Sequence, residues 1–550
     1  MTANVSDPAS DATPATAPDS GADALDRSRT VAVVGTGTMG QGIAQVALVA
    51  GHPVRLYDSA PGRAEEAVAA LAARLDRLVQ KGRMDAAGRD AAVARLHAAR
   101  ELTELADAAL VVEAIVEQLP VKQRLFAELE KIVGDDTLLA TNTSSLSVTA
   151  IAGGLRLPGR FVGLHFFNPA PLLPLVEVVS GFATDDSAAT RAYETAKSWG
   201  KTPVRCADTP GFIVNRIARP FYAEALRVYE EGAADPATID AALRESGGFR
   251  MGPFELTDLI GQDVNESVTR SVWDSFFQDP KFTPSLAQRR LVESARLGRK
   301  SGHGWFPYGE GVTAPEPHTA PPAEPPASVT VQGDLYQARA LVGLFEESGI
   351  AVERADDAVP GYPGWIELPS GTRLFLADGT AADDAEMPVV HIDLALDFAT
   401  CERIVLAPAA TVEDAALKEA IGLFQAAGKK VSVVRDIPGM IVARTVAMLA
   451  DFAFDAATRA VADADDIDTA MRLGVNYPRG PLAWAGELGA GWVLETLSNL
   501  HEEYPTGRYA PSQALRRRVA AEQAAADRRD RDADTAGRRD LDTAGEEALA

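Results

Sequence analysis

TVAVVGTGTMGQGIAQVALVA, from Thr30 to Ala50, is the stretch on which the fold turns. A β-branched run leads into Gly35 and an apolar stretch follows Gly40, so the segment reads as strand, glycine turn and helix. Each glycine has its own task at this spacing. Gly35 makes the tight turn, Gly37 lets backbone approach a pyrophosphate, and Gly40 allows close packing of helix on strand. The helix N-terminus, at Thr38, Met39 and Gly40, offers free N–H groups and a partial positive charge to phosphate oxygens. A dinucleotide-binding loop is expected here, with Gly35, Gly37, Thr38, Met39 and Gly40 as its contacts.

Outward from this loop, the strand PVRLYD ends at Asp58, eighteen residues after Gly40. A carboxylate there accepts hydrogen bonds from ribose hydroxyls and repels a 2′-phosphate, which favours NAD over NADP. The runs ALVVEAIV, TLLATNTS, RFVGLHFF, LVEVV and KTPVRC follow, with helical stretches between most of them. That pattern predicts an α/β class: a largely parallel, doubly wound Rossmann-like sheet over residues 29–207. From Asp208 the chain turns helical, giving an all-helical domain over 208–308. Residues 309–328 include TAPEPHTAPPAEPPA, read as a stiff linker too rich in proline to pack.

The second half repeats part of the first. DTPGFIVNR at Asp208–Arg216 returns as DIPGMIVAR at Asp436–Arg444, an offset of 228. The same offset pairs Asp235 with Asp463, Asp240 with Asp468, Gly252-Pro253 with Gly480-Pro481 and Gly261 with Gly489. A second copy of the helical domain is therefore expected over 436–515. Before it, residues 329–435 alternate strand and helix character but open on VTVQGD, so they read as a degenerate Rossmann-like domain without a nucleotide. Asn215 becomes Ala443 at this offset, and the nearest run to HFFNP is ERIVLAPAA, with no histidine. The second half is expected to serve packing rather than chemistry. Residues 1–28 read as a disordered tail and 516–550 as a charged tail, solvated helix or disordered.

The 550 residues carry 53 basic and 78 acidic side chains, a net charge of −25 that disfavours nucleic acid and anionic membrane as partners. Two cysteines, Cys206 and Cys401, suit neither a disulfide framework nor a Cys-rich metal site and fit a reducing cytoplasm. No apolar run reaches membrane-spanning length, and no basic and apolar leader opens the chain.

Of seven histidines, His165 ends the apolar run RFVGLHFF, and twelve residues later Glu177 sits inside LLPLVEVV. A carboxylate in such a run needs a partner. A strand, a turn at Asn168-Pro169 and a second strand bring the two together as an acid–base pair, the carboxylate fixing the imidazole tautomer. A core histidine and an unrelated buried glutamate fit the same spacing.

GTGTMGQGIAQVA, VVEAIVEQLPVK, TNTSSLSVTAIA, FVGLHFFNPAPLLPLVEVV, DTPGFIVNR and MGPFELTDLIG, in this order, resemble the L-3-hydroxyacyl-CoA dehydrogenase family. The resemblance covers about Arg29 to Tyr308. It implies NAD-dependent oxidation of a 3-hydroxyacyl-CoA, with His165 as base and Glu177 as its partner. It further implies Ser144 and Asn215 on the substrate oxygen, Asn168 beside the nicotinamide, and Glu113, Lys122, Ser144 and Lys300 at the cofactor. For the CoA moiety it keeps Lys81, while Arg74 stands where the family has a serine. Relatives with this duplication resemble dehydrogenases of fatty-acid and phenylacetate-type catabolism acting on 3-hydroxybutyryl-CoA or 3-hydroxyadipyl-CoA. The repeat is expected to imitate within one chain the dimer that single-copy relatives form through the helical domain, and further homo-oligomerisation stays open. A dehydrogenase of a free hydroxy acid or sugar acid, and a non-catalytic NAD-binding scaffold, are the competing readings.

Overall fold

A computed structural model describes residues 23–355 and 363–547. It divides into two units, Met1–Phe212 and Ile213–Ala550. The first unit is built on β1 (Thr30–Val34), β2 (Val54–Tyr57), β3 (Leu96–Ala99), β4 (Ala108–Glu113), β5 (Leu138–Thr141), β6 (Phe161–Phe166), β7 (Leu175–Ser180) and β8 (Thr202–Ala207). Their order across the sheet is β3-β2-β1-β4-β5-β6-β7-β8. From β3 through β6 the neighbours run parallel, whereas β7 is antiparallel to β6 and β8 is parallel to β7. The chain reverses its direction of travel across the sheet between β1 and β4, and the carboxyl ends of strands at such a switch point are where ligands of these sheets bind.

Seven of these strands follow from apolar runs; β3 does not. Its sequence, LHAA, leaves His97 exposed and is too short to show alternation. Val31, Val33, Leu56, Leu110, Val112 and Leu164 pack with Ile43 and Ala47 of the helix Thr38–Val49 in one core. The expected disordered tail is shorter than read: Leu25 is 4% exposed within this core, and its N–H donates to Thr195 Oγ1 at 3.0 Å. One buried leucine outweighs the polar composition around it. The rest of the expected tail, residues 1–22, lies outside the described residues.

The second unit opens with the helices Val214–Ile217, Arg219–Glu230, Pro236–Ala241, Pro253–Ile260, Gln262–Ser275 and Leu286–Glu293. Pro481–Leu488 and Ala490–Glu503 repeat Pro253–Ile260 and Gln262–Ser275 at the offset of 228. The repeat extends to backbone detail. Phe212 and Met440 take φ of 51° and 48°, each just after a glycine of positive φ. Asp240 caps Phe254 N–H at 2.9 Å, and Asp468 caps Leu482 N–H at 2.9 Å. A Cβ on Gly252 or Gly480 would stand 2.2 or 2.1 Å from the capping carboxyl carbon, so only glycine admits the carboxylate there.

The sheet of this unit comprises β9 (Ser328–Gln332), β10 (Ala351–Ala355), β11 (Trp365–Glu367), β12 (Arg373–Leu376), β13 (Val389–Ile392), β14 (Arg403–Pro408) and β15 (Lys430–Val433), ordered β10-β9-β11-β12-β13-β14-β15. β13, β14 and β15 reproduce the antiparallel-then-parallel pairing of β6, β7 and β8. Their first residues, 389, 403 and 430, again stand 228 beyond 161, 175 and 202. The duplication therefore begins before the helical domain, within the sheet.

The proline-rich stretch packs, contrary to the sequence expectation. Ala320 is buried and donates to Val431 O at 2.7 Å, Ala323 donates to Gln425 Oε1 at 2.8 Å, and His318 O accepts from Ser432 Oγ at 2.6 Å. Proline favours extended backbone, and the residues between the prolines keep the N–H groups that a sheet edge needs. At the other end, residues 516–547 of the expected charged tail belong to the helix Gln513–Glu547, whose first turn buries Ala514 and Leu515, and residues 548–550 lie outside the described residues.

Reciprocal ion pairs join the two helical copies inside this unit. Arg508, 1% exposed, pairs with Glu224 through Nε at 3.0 Å, and Tyr509 donates to the same carboxylate at 2.7 Å. In return Lys281, which the offset relates to Tyr509, reaches Asp451 at 2.5 Å. Arg216 pairs with Asp455 at 2.8 Å, and its counterpart Arg444 pairs with Glu231 at 3.2 Å.

Candidate active site

The carboxyl ends of β1, β2, β4, β5 and β6 carry most of the residues read from the sequence. Gly35 has φ of 98°, and a Cβ there would stand 2.5 Å from Ala114 O. A Cβ on Gly40 would fall 1.8 Å from Gly35 O, so turn and helix approach more closely than any side chain permits. Gly37, by contrast, is exposed and faces open space, with nothing within 4 Å of a Cβ. The helix that starts at Thr38 has no side-chain cap and no acidic residue in its first turn. Its leading N–H groups stay available for phosphate, and the cradle fits a dinucleotide.

Asp58, just beyond β2, accepts from Thr36 N–H at 3.0 Å and Thr36 Oγ1 at 2.6 Å. Burial pushes its carboxyl up, but these donors and that of Ala60 outweigh it and hold the group below its usual range. It is thus an ionised acceptor at the place where a ribose would lie.

Glu113 ends β4 with 0% exposure, bound by Lys122 Nζ at 2.5 Å, Thr141 Oγ1 at 2.7 Å and Ile115 N–H at 2.7 Å. Lys122 is itself 1% exposed. The pair forms a buried brace between β4, β5 and the helix Leu119–Ile132, and Glu113 presents no surface to a ligand. Sequence reasoning missed Glu117, four residues on. Its Oε1 accepts from Ser144 N–H at 3.0 Å and Thr143 Oγ1 at 2.6 Å, and its Oε2 lies 3.2 Å from Lys122. Burial pushes Glu117 up, yet Lys122 and the Thr143 and Ser144 donors hold it below the ordinary value. The signal was present in VVEAIVEQLPVK, where the second glutamate follows the strand and the first lies within it.

His165 and Glu177 face each other as register partners on antiparallel β6 and β7. His165 Nδ1 lies 2.6 Å from Glu177 Oε2, with His165 6% and Glu177 0% exposed. A carboxylate acceptor at Nδ1 places the ring proton there and leaves Nε2 as the basic nitrogen. Phe167 and Phe212 flank the imidazole at centroid distances of 4.5 and 5.9 Å. The loop after β5 adjoins this strand, for Asn142 Oδ1 accepts from Phe166 N–H at 2.8 Å, and Ser144 lies two residues beyond Asn142. Asn168 is exposed, at the cis bond to Pro169.

Asn215 and Lys300 belong to the second unit. Asn215 lies in the helix Val214–Ile217, and Lys300 is exposed and pairs with Asp263 at 2.5 Å. Lys81 is exposed at the end of the helix Arg63–Gln80.

The second half shows what became of the same positions. ERIVLAPAA, taken from sequence as the nearest run to HFFNP, is the counterpart of β7, and β13 is the counterpart of β6. At the offset of 228, Asp393 stands for His165 and Val405 for Glu177. Asp393 accepts from the N–H groups of Ile441, Val442 and Ala443 at 3.1, 2.8 and 3.0 Å, capping the helix Val442–Thr458. Burial pushes its carboxyl up to about 6 despite these donors. An acid–base pair is thus replaced by a helix cap. Among the described residues, no group of three or more His, Cys, Asp or Glu could hold a metal ion. Likewise no described helix is long and apolar enough to cross a membrane.

The family model for the 3-hydroxyacyl-CoA dehydrogenase NAD binding domain matches residues 30–209. That for the C-terminal domain matches twice, at 211–308 and 439–530. A 3-hydroxybutyryl-CoA dehydrogenase reduced Rossmann-fold domain matches 374–438. The 3-hydroxyadipyl-CoA dehydrogenase of Escherichia coli K12 is 45% identical over 90% of this chain and 98% of its own. A 3-hydroxybutyryl-CoA dehydrogenase of Mycobacterium tuberculosis is 39% identical, but over 52% of this chain and 99% of its own. Among solved structures, a 3-hydroxybutyryl-CoA dehydrogenase from Escherichia coli K12 aligns with a TM-score of 0.81 and 43% identity, covering 91% of this chain and 100% of that one.

Proposed function

The chain belongs to the 3-hydroxyacyl-CoA dehydrogenase family, and we propose that its NAD-dependent oxidation of an (S)-3-hydroxyacyl-CoA runs on the His165–Glu177 pair of the first half. The 2.6 Å contact between these two buried side chains carries the reading. With Nδ1–H held by Glu177, Nε2 of His165 takes the proton of the 3-hydroxyl, and the carboxylate stabilises the resulting imidazolium. In the reductive direction the imidazolium returns that proton. Bound NAD supplies the hydride acceptor, held by the Gly35 to Gly40 cradle and by Asp58. Ser144 and Asn215 are the proposed contacts of the substrate oxygen. Asn168 and Lys300 are proposed on the cofactor side and Lys81 on the CoA phosphates, while Lys122, 1% exposed, is proposed to act there through Glu117, whose Oε2 lies 3.2 Å from its ammonium. Glu117, a third exposed beyond the end of β4, is the proposed cofactor contact in place of Glu113, whose carboxylate is fully buried and bound by Lys122, Thr141 and Ile115.

For the acyl chain we propose a six-carbon, 3-hydroxyadipyl-type group. The 45% identity to the Escherichia coli 3-hydroxyadipyl-CoA dehydrogenase over nearly the whole of both chains favours this, whereas the solved Escherichia coli 3-hydroxybutyryl-CoA dehydrogenase, 43% identical over 91% of this chain, favours the four-carbon ester. Comparing kcat/KM for 3-hydroxyadipyl-CoA and 3-hydroxybutyryl-CoA tests this. We expect the adipyl ester to lead by about two orders of magnitude, and equal values would contradict it. The reciprocal clamps between the helical copies support an intramolecular pseudo-dimer, and two free, buried cysteines suit a reducing cytoplasm.

A further inference from the structure

Lys201 precedes β8, and its ammonium donates to Ala170 O at 2.6 Å and Leu173 O at 2.9 Å. Among the described residues no carboxylate pairs with it, and burial pushes its ammonium down to about 8. The loop it holds is NPAPLLP, Asn168–Pro174, whose three prolines have no N–H to give. Pro169 O accepts from the N–H groups of Leu172 and Leu173, and Pro174 O from that of Thr202, while the lysine side chain supplies donors to Ala170 O and Leu173 O.

This loop lies between the two halves of the chemistry. It follows the end of β6 at Phe166 and begins with Asn168, three residues after His165. At its middle it rests on the cofactor helix, where a Cβ on Gly42 would meet Ala170 Cβ at 3.2 Å and Pro171 Cδ at 3.3 Å. Its path is therefore set by the staple on one side and by the glycine helix on the other.

The internal repeat tells which part of the arrangement depends on catalysis. Lys429 stands 228 residues after Lys201 and donates to Ala399 O and Cys401 O, both at 2.8 Å. Cys401 corresponds to Leu173 at the same offset, and Ala399 lies one position beyond the counterpart of Ala170. The second copy has lost the histidine, the glutamate and every proline of this loop, yet it keeps the lysine and the paired carbonyls. The staple is thus a property of the fold. In the first half alone, what it holds is the segment joining the catalytic strand to the cofactor helix.

We propose that Lys201 is a positioning residue for hydride transfer, fixing the Asn168–Pro174 loop between His165 and the cofactor helix. Misplacing reacting groups by about an ångström costs on the order of 100-fold in rate. Four variants, Lys201→Met, Lys201→Gln, Lys201→Arg and Lys429→Met, provide the test, read as kcat, KM, NADH dissociation constant and thermal midpoint. Lys201→Met and Lys201→Gln are expected to lower kcat by about tenfold or more while NADH affinity moves by less than about threefold. Lys201→Arg, which keeps charged donors, should recover most of kcat. Lys429→Met should lower the thermal midpoint as Lys201→Met does and leave kcat unchanged. The proposal is overturned if folded Lys201→Met keeps at least half of wild-type kcat, or if Lys429→Met lowers kcat equally. It is also overturned if both Lys201→Met and Lys201→Gln fail to fold, because the lysine would then serve stability alone.

Discussion

A buried carboxylate beside an imidazole does two things at once: it selects the tautomer and stabilises the charged ring. Glu177→Gln keeps an acceptor for Nδ1–H but removes the charge that steadies the imidazolium. We expect kcat to fall on the order of 10²- to 10⁴-fold with NADH affinity nearly unchanged, measured by steady-state kinetics and fluorescence titration. A fall in NADH affinity equal to the fall in kcat would place Glu177 in cofactor binding instead. At this scale the sequence was informative where a residue type was out of place, as a glutamate is in LLPLVEVV. It was misleading where two glutamates stood one turn apart in VVEAIVEQ. Choosing between them needs the end of β4, which hydropathy alone does not locate: Glu113 is its last residue and fully buried, whereas Glu117 lies beyond it.

Among the elements, strands with long apolar runs announced themselves and β3 did not, being half exposed at the sheet edge. The proline-rich segment erred in the other direction, since composition shows what a segment cannot donate and is silent about what it can accept. Burial pushes Asp240 up from 3.8 to about 8, despite the N–H groups of Phe254 and Glu255 that it accepts. Between those values the folded chain holds a proton that the unfolded chain releases. The contribution of this group to stability is therefore greatest at acid pH and declines as pH rises toward 8. Asp240→Asn should flatten the loss of thermal stability between about pH 4 and pH 8. An unchanged slope would show that the carboxyl titrates normally.

Across the whole molecule, one duplication explains both the length and the asymmetry. The repeat was visible in DTPGFIVNR and DIPGMIVAR because a turn of positive φ and its helix constrain sequence tightly. Its extension into β13, β14 and β15 was not, since sheet cores accept many apolar residues and the catalytic side chains that would have marked them are gone. The two helical copies are joined by buried charge. Glu224→Ala would leave Arg508 almost wholly buried without its counter-charge, a loss of about 3–5 kcal/mol that calorimetry would report as a lowered midpoint. A midpoint unchanged from wild type would mean that the clamp contributes nothing.

Asp393 and Val405 occupy the positions of His165 and Glu177 in the second copy, so turnover is expected to depend on the first copy alone. Turnover of acetoacetyl-CoA and NADH by His165→Gln, beside its NADH affinity, tests this most directly. The variant should bind NADH as the wild type does and turn over about 10²- to 10⁴-fold more slowly. Turnover near the wild-type rate would contradict both the role of His165 and the silence of the second half.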